Sequence, residues 1–116
     1  MLKAGLFLLL ALAACTRAPA AAGPLAMTRE PVAGGTRLLL VAEAGARISA
    51  DYVPTLTLDD GTIVRFDTTA LSSDSAYFAA PPSAVVGGAA SAMHGLLKAS
   101  VCREHEAVCR LVKLEV

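Results

Sequence analysis

The chain has 116 residues, ten acidic and ten basic side chains, no formal net charge, and 55% hydrophobic residues of which few are aromatic. That length accommodates one small domain. Balanced charge without a basic patch interleaved with aromatics excludes nucleic acid as a partner. Much of the hydrophobic content is alanine and an apolar leader, so it does not indicate a membrane-embedded protein.

Lys3 precedes an unbroken apolar run, Ala4 to Ala14, too short for a permanent bilayer anchor. The run ends in Leu12-Ala13-Ala14-Cys15. This resembles a bacterial lipobox: an aliphatic residue, two small residues, then the cysteine that is lipidated. The resemblance implies a lipoprotein signal peptide over 1–14, lipidation at Cys15, and a lipid anchor holding the chain on the periplasmic side of a bacterial envelope. Thr16 is not the aspartate linked to inner-membrane retention, so the outer membrane is preferred. A plain signal peptide with a chance cysteine is the alternative.

Thr16 to Met27 is rich in Ala, Pro and Gly and carries one charge, Arg17. It reads as a tether, placed at 15–30 once the lipidated cysteine is included, with a lost N-terminal strand as the alternative. Folded structure is expected to begin between Thr28 and Thr36, giving a domain over 31–116. Leu38-Leu39-Leu40-Val41 is an apolar run of strand length, and Ala46 to Ala50 follows Gly45 as a second strand. Thr55 to Leu58 alternates polar and apolar residues, Asp59-Asp60-Gly61 is a turn, and Thr62 to Phe66 returns with β-branched Ile63 and Val64. Asp67 to Ser75 is a polar loop. Pro81-Pro82 breaks the chain after Tyr77 and Phe78, and Val85-Val86 is a strand fragment ahead of an irregular loop or a helical turn.

Leu96 to Val116 reads as two strands joined by a six-residue loop with a cysteine at each edge. If Cys102 faces Cys109, then Ala99 faces Val112 and Leu97 faces Leu114, forming an apolar side with Val101. Cys102 then falls on the opposite, polar side with Lys98 and Ser100. Antiparallel partners lie at Cα separations a disulfide accepts. The same register sets Lys98 against Lys113, a like-charge pair that a bulge or a two-residue slip would relieve. An exported chain meets an oxidising compartment. Of three cysteines, lipidation consumes Cys15 and leaves Cys102 and Cys109 to pair. Six to eight short strands separated by turns indicate an all-β antiparallel sandwich.

The cysteine pair carries the chemistry. As a staple it closes a loop of about eight residues, contributing about 2.5 kcal/mol by chain entropy. As a redox pair it needs exposure and a tuned potential; Arg103 and Arg110 favour thiolate, while Glu104 and Glu106 oppose it. Cys102, His105 and Cys109 with His94 offer a metal-ligand set, but the spacing departs from common zinc patterns and oxidation removes both thiolates. No cofactor motif is present: Gly87-Gly88 lacks the spacing and lysine of a phosphate loop. Ser72, Ser73 and Ser75 lack a nucleophile elbow, and the absence of Cys-x-x-Cys excludes a thioredoxin active site.

The run Gly95-Leu-Leu-Lys-Ala-Ser-Val-Cys102, a short polar loop, Cys109 and a closing strand resembles the amino-terminal periplasmic domain of the transmembrane thiol:disulfide interchange reductase DsbD. Gly45-Ala-Arg-Ile-Ser-Ala-Asp-Tyr-Val-Pro54-Thr-Leu-Thr-Leu resembles that family's stretch before its first long hairpin. The resemblance covers roughly Thr36 to Val116. It implies an immunoglobulin-like sandwich in which Cys102 and Cys109 are the catalytic pair passing electrons to or from a thioredoxin-like or membrane thiol reductase partner, with one of them forming the mixed disulfide. It also implies an aromatic cap over the disulfide, for which Tyr77 and Phe78 are the candidates. The chain departs from the family after the second cysteine, where Arg110-Leu111 replaces tyrosine and proline, and no transmembrane electron-transfer domain is fused. The alternative is a non-enzymatic envelope lipoprotein domain with a purely structural disulfide.

Overall fold

Nine β-strands and one 3₁₀ turn make up the regular structure of the described residues, 20–67 and 70–116, in the computed structural model. The expected signal peptide over 1–14 and the expected lipidation site Cys15 lie outside the described residues. The strands are β1 (Ala20–Ala22), β2 (Leu25–Val32), β3 (Gly35–Ala42), β4 (Ala46–Ile48), β5 (Thr55–Leu58), β6 (Ile63–Arg65), β7 (Ser83–Val86), β8 (Gly95–Arg103) and β9 (Arg110–Glu115). All strand pairs are antiparallel, and they form two sheets. One runs β1-β2-β3-β7. The other is centred on β8, with β9 along one edge, β4 and β5 end to end along the other, and β6 outside β5.

Period-two alternation explains why the sheets stack. Leu25, Met27, Leu38 and Leu40 point inward from the first sheet; Leu56, Leu97, Ala99, Val101 and Leu114 meet them from the second. Phe66 and Met93 add to the same core. In the all-apolar run of β3, Leu38 and Leu40 are fully buried while Val41 is exposed, so a sheet with one covered face hides its alternation there. The result is an all-β protein with two packed antiparallel sheets, as expected from the strand count.

The Thr55–Arg65 hairpin forms about the expected turn. The Thr62 N–H donates to Asp60 Oδ1 at 2.8 Å and Gly61 takes φ 90°. That backbone bond holds the Asp60 carboxyl below its ordinary value. The C-terminal hairpin keeps the expected register without bulge or slip: Leu97 faces Leu114, Ala99 faces Val112, and Lys98 remains opposite Lys113.

The expected tether is corrected by β1 and β2. Residues 20–22 and 25–32 are strands, and Leu25 and Met27 are almost wholly buried. Alanines and Pro31 dilute the strand composition, yet Leu25-Ala26-Met27 pairs with Ala42-Val41-Leu40 and completes the core opposite β8. Propensity is overridden there by the tertiary partner.

Candidate functional site

Cys102 and Cys109 form a disulfide at the loop end of the β8–β9 hairpin, with Cα atoms 4.1 Å apart. Gly95 and Val116 exchange both backbone hydrogen bonds at the other end of the ladder. Counting along the unbroken register, Cys102 and Cys109 occupy a non-hydrogen-bonded position, where antiparallel strands approach most closely. The local strand pattern therefore delivers the two sulfurs to each other.

The two cysteines differ in environment. Cys109 is exposed, whereas Cys102 is 8% exposed although it sits on the outer face of its sheet. That face is not open at this end of β8. Arg47 on β4 is the cross-strand partner of Cys102. The segment around Tyr77 bridges to Ser49, so it runs beside β4. Arg47, Tyr77, Arg103, Glu104, Glu106 and the disulfide line one cleft of about 380 Å³.

Tyr77 is delivered by a tight local hairpin. The Tyr77 N–H donates to Ser72 Oγ at 3.1 Å, and the Ser72 and Ser75 N–H groups donate to Tyr77 and Ser72 carbonyls. Ser75 adopts φ 59°, a left-handed conformation uncommon for a residue other than glycine. Ser72 Oγ donates to Asp74 Oδ1 at 2.6 Å, and the Ala76 N–H donates to the same oxygen at 3.1 Å. These bonds, with a smaller contribution from the charge of Arg47, hold the Asp74 carboxyl below its ordinary value. The Arg47 guanidinium lies 5.2 Å from the Tyr77 ring centroid, in cation–π range. Of the two expected capping aromatics, Tyr77 lines the disulfide cleft; Phe78 packs instead against the core.

The flanking arginines are otherwise engaged. Arg103 pairs with Glu43 at 3.3 Å and Arg110 with Glu106 at 2.9 Å. Arg47 is thus the cation set directly across from a site sulfur. Sequence reasoning passed over it because its relevance depends on pairing between β4 and β8, more than fifty residues apart in the chain. The hairpin loop is tied down by the Glu104 N–H, which donates to the Gly45 carbonyl at 3.0 Å.

The metal-ligand set is not assembled. His94 stands at the far end of β8, with Nδ1 3.2 Å from the Val116 carbonyl oxygen, and both cysteines are bonded to each other. His105 is exposed in the loop. Among the described residues no cluster of three His, Cys, Asp or Glu side chains is placed to hold a metal ion. Compared with protein-family models, curated proteins and solved structures, the chain finds no match.

Proposed function

We propose that this chain is a thiol:disulfide exchange module of the bacterial envelope, lipid-anchored through Cys15, with an immunoglobulin-like sandwich that presents the Cys102–Cys109 pair to a thioredoxin-like or membrane thiol reductase protein. The observation that carries the reading is the asymmetry of the pair: one cysteine is exposed and the other is buried opposite an arginine.

A thiolate of the reduced partner attacks Sγ of Cys109, the exposed cysteine. The S–S electron pair leaves on Cys102, whose thiolate is stabilised by the guanidinium of Arg47. The partner's second thiolate then attacks its own sulfur in the mixed disulfide and releases Cys109. Two electrons and two protons pass from the partner dithiol to the pair, and the reverse sequence operates toward an oxidised partner.

The reduction potential tests this reading. A value near about −200 mV marks an exchangeable bond, and one well below about −300 mV marks a structural one. Cys102→Ser should trap a mixed disulfide through Cys109 with a thioredoxin-like protein. The second reading is a staple without redox turnover, supported by the position of the bond where it closes the hairpin loop beside the core strands. In that case reduction requires denaturant and costs the domain about 2.5 kcal/mol.

A further inference from the structure

The like-charge pair Lys98–Lys113 survives in the folded hairpin, and it belongs to a longer row. Arg65 on β6 faces Thr55 on β5, Thr55 faces Lys98 on β8, and Lys98 faces Lys113 on β9. The adjacent row, Val64, Leu56, Leu97 and Leu114, is buried in the core, so the cationic row lies on the outer face of the sheet. Arg37, Arg103 and Arg110 form ion pairs with Glu30, Glu43 and Glu106, and the row's cations take part in none of these three. Glu115 stands two residues further from the disulfide along β9, opposite Leu96.

Like charges directly opposite each other destabilise a sheet, and nothing in the packing requires this pair. Their position has a second property. Lys98 and Lys113 lie four residues along the same strands from Cys102 and Cys109, about 13 Å away on the same face. A protein whose reactive thiol reaches Cys109 from that face lays its own surface across the row.

We propose that the row Arg65, Lys98, Lys113 is the docking surface for an acidic face of the thiol-exchange partner. The inference rests on the exchange reading above and adds the partner's charge. An anionic lipid surface is the other occupant of matching charge, but a membrane laid on this face would cover Cys109, the sulfur that has to be reached.

The test uses the whole folded protein and a reduced thioredoxin of net negative charge as the probe. Its rate constant for reducing the disulfide should fall about tenfold from low to high salt, as steered association does. Reduction by dithiothreitol, whose attacking thiolate carries one charge, should change less than twofold over that range. Lys113→Glu should slow thioredoxin several-fold at low salt and match the wild type at high salt. The same variant should melt at a higher temperature, because the introduced carboxylate pairs with Lys98. A positional structural role would couple lower activity to lower stability, whereas docking uncouples them.

Exchange that proceeds with no salt dependence and no effect of Lys113→Glu overturns the docking surface and leaves the exchange function standing. Failure of thioredoxin to reduce a bond that dithiothreitol reduces overturns both. Sedimentation with vesicles containing one-third phosphatidylglycerol, lost in Lys113→Glu while the thioredoxin rate is unaffected, overturns it in favour of a lipid surface.

Discussion

Replacing Arg47 with glutamine should make Cys102 a weaker thiol acid and a poorer leaving group. Cross-strand partners on one face have Cβ atoms about 4.5–5.5 Å apart, and Arg47 holds that position relative to Cys102. From that position the guanidinium can reach the sulfur, and an opposite charge within about 4–6 Å shifts a titration by about one to three pKa units toward the charged form. Arg47 is exposed, and solvent screening sets the expectation at the low end, about one unit. The thiol in Cys109→Ser, followed by alkylation rate against pH, should therefore titrate about one unit higher once Arg47 is also replaced. The potential of the intact pair responds only where the thiol ionises. Below both pKa values the two reduced proteins are protonated and their potentials coincide. Above both, the reduced variant lacks one unit of thiolate stabilisation and its potential is more negative by about 30 mV. Equilibration in dithiothreitol redox buffers from about pH 6 to pH 10, read by alkylation of free thiols, measures the divergence. Arg47→Lys should restore part of it. Superimposable curves for wild type and Arg47→Gln across the whole range would refute the electrostatic role of Arg47.

Leu114→Ala should cost about 2–5 kcal/mol in denaturant unfolding, because the side chain is 6% exposed in the core. Glu115→Ala, exposed on the opposite face, should cost less than about 0.5 kcal/mol, and equal effects would contradict the register. Asp74 has a lowered folded pKa, so its stabilising contribution is present above the unfolded value and is lost as pH falls through the folded one. Acid titration of thermal stability should show a shallower loss below about pH 4 for Asp74→Asn than for the wild type.

The parts of the fold that could be read from the sequence are those with local causes. Asp59-Asp60-Gly61 specifies its turn through one side chain and one glycine, and the hairpin around it follows. The β8–β9 register was legible because a cysteine pair and two apolar positions, Leu97 with Leu114 and Ala99 with Val112, agree on one alignment. Where causes are distant, the sequence was silent or misleading. The Ala-rich stretch ahead of Pro31 has no strand signal of its own and becomes one only by pairing with β3. Polarity alone assigned Cys102 to an accessible face; its burial comes from β4 and the Tyr77 segment, neither adjacent in sequence. The cationic row was visible only as a single awkward lysine pair until β5 and β6 were placed beside it.

The early start of β1 changes how far the site can travel. If Cys15 carries the proposed lipid, five Cα–Cα steps separate the anchor from Ala20, a reach of at most about 18 Å. A tether running to residue 30 would have allowed about 50 Å. The Gly23–Pro24 turn approaches Arg103 beside the disulfide hairpin, and Ala20 lies three residues before that turn. In the proposed lipid-anchored state, so short a link would confine the Cys102–Cys109 bond to a thin layer over the bilayer. Encounters in that layer would be governed by the areal density of partners attached to the same membrane, and a partner diffusing through the surrounding volume would meet the site only by entering it.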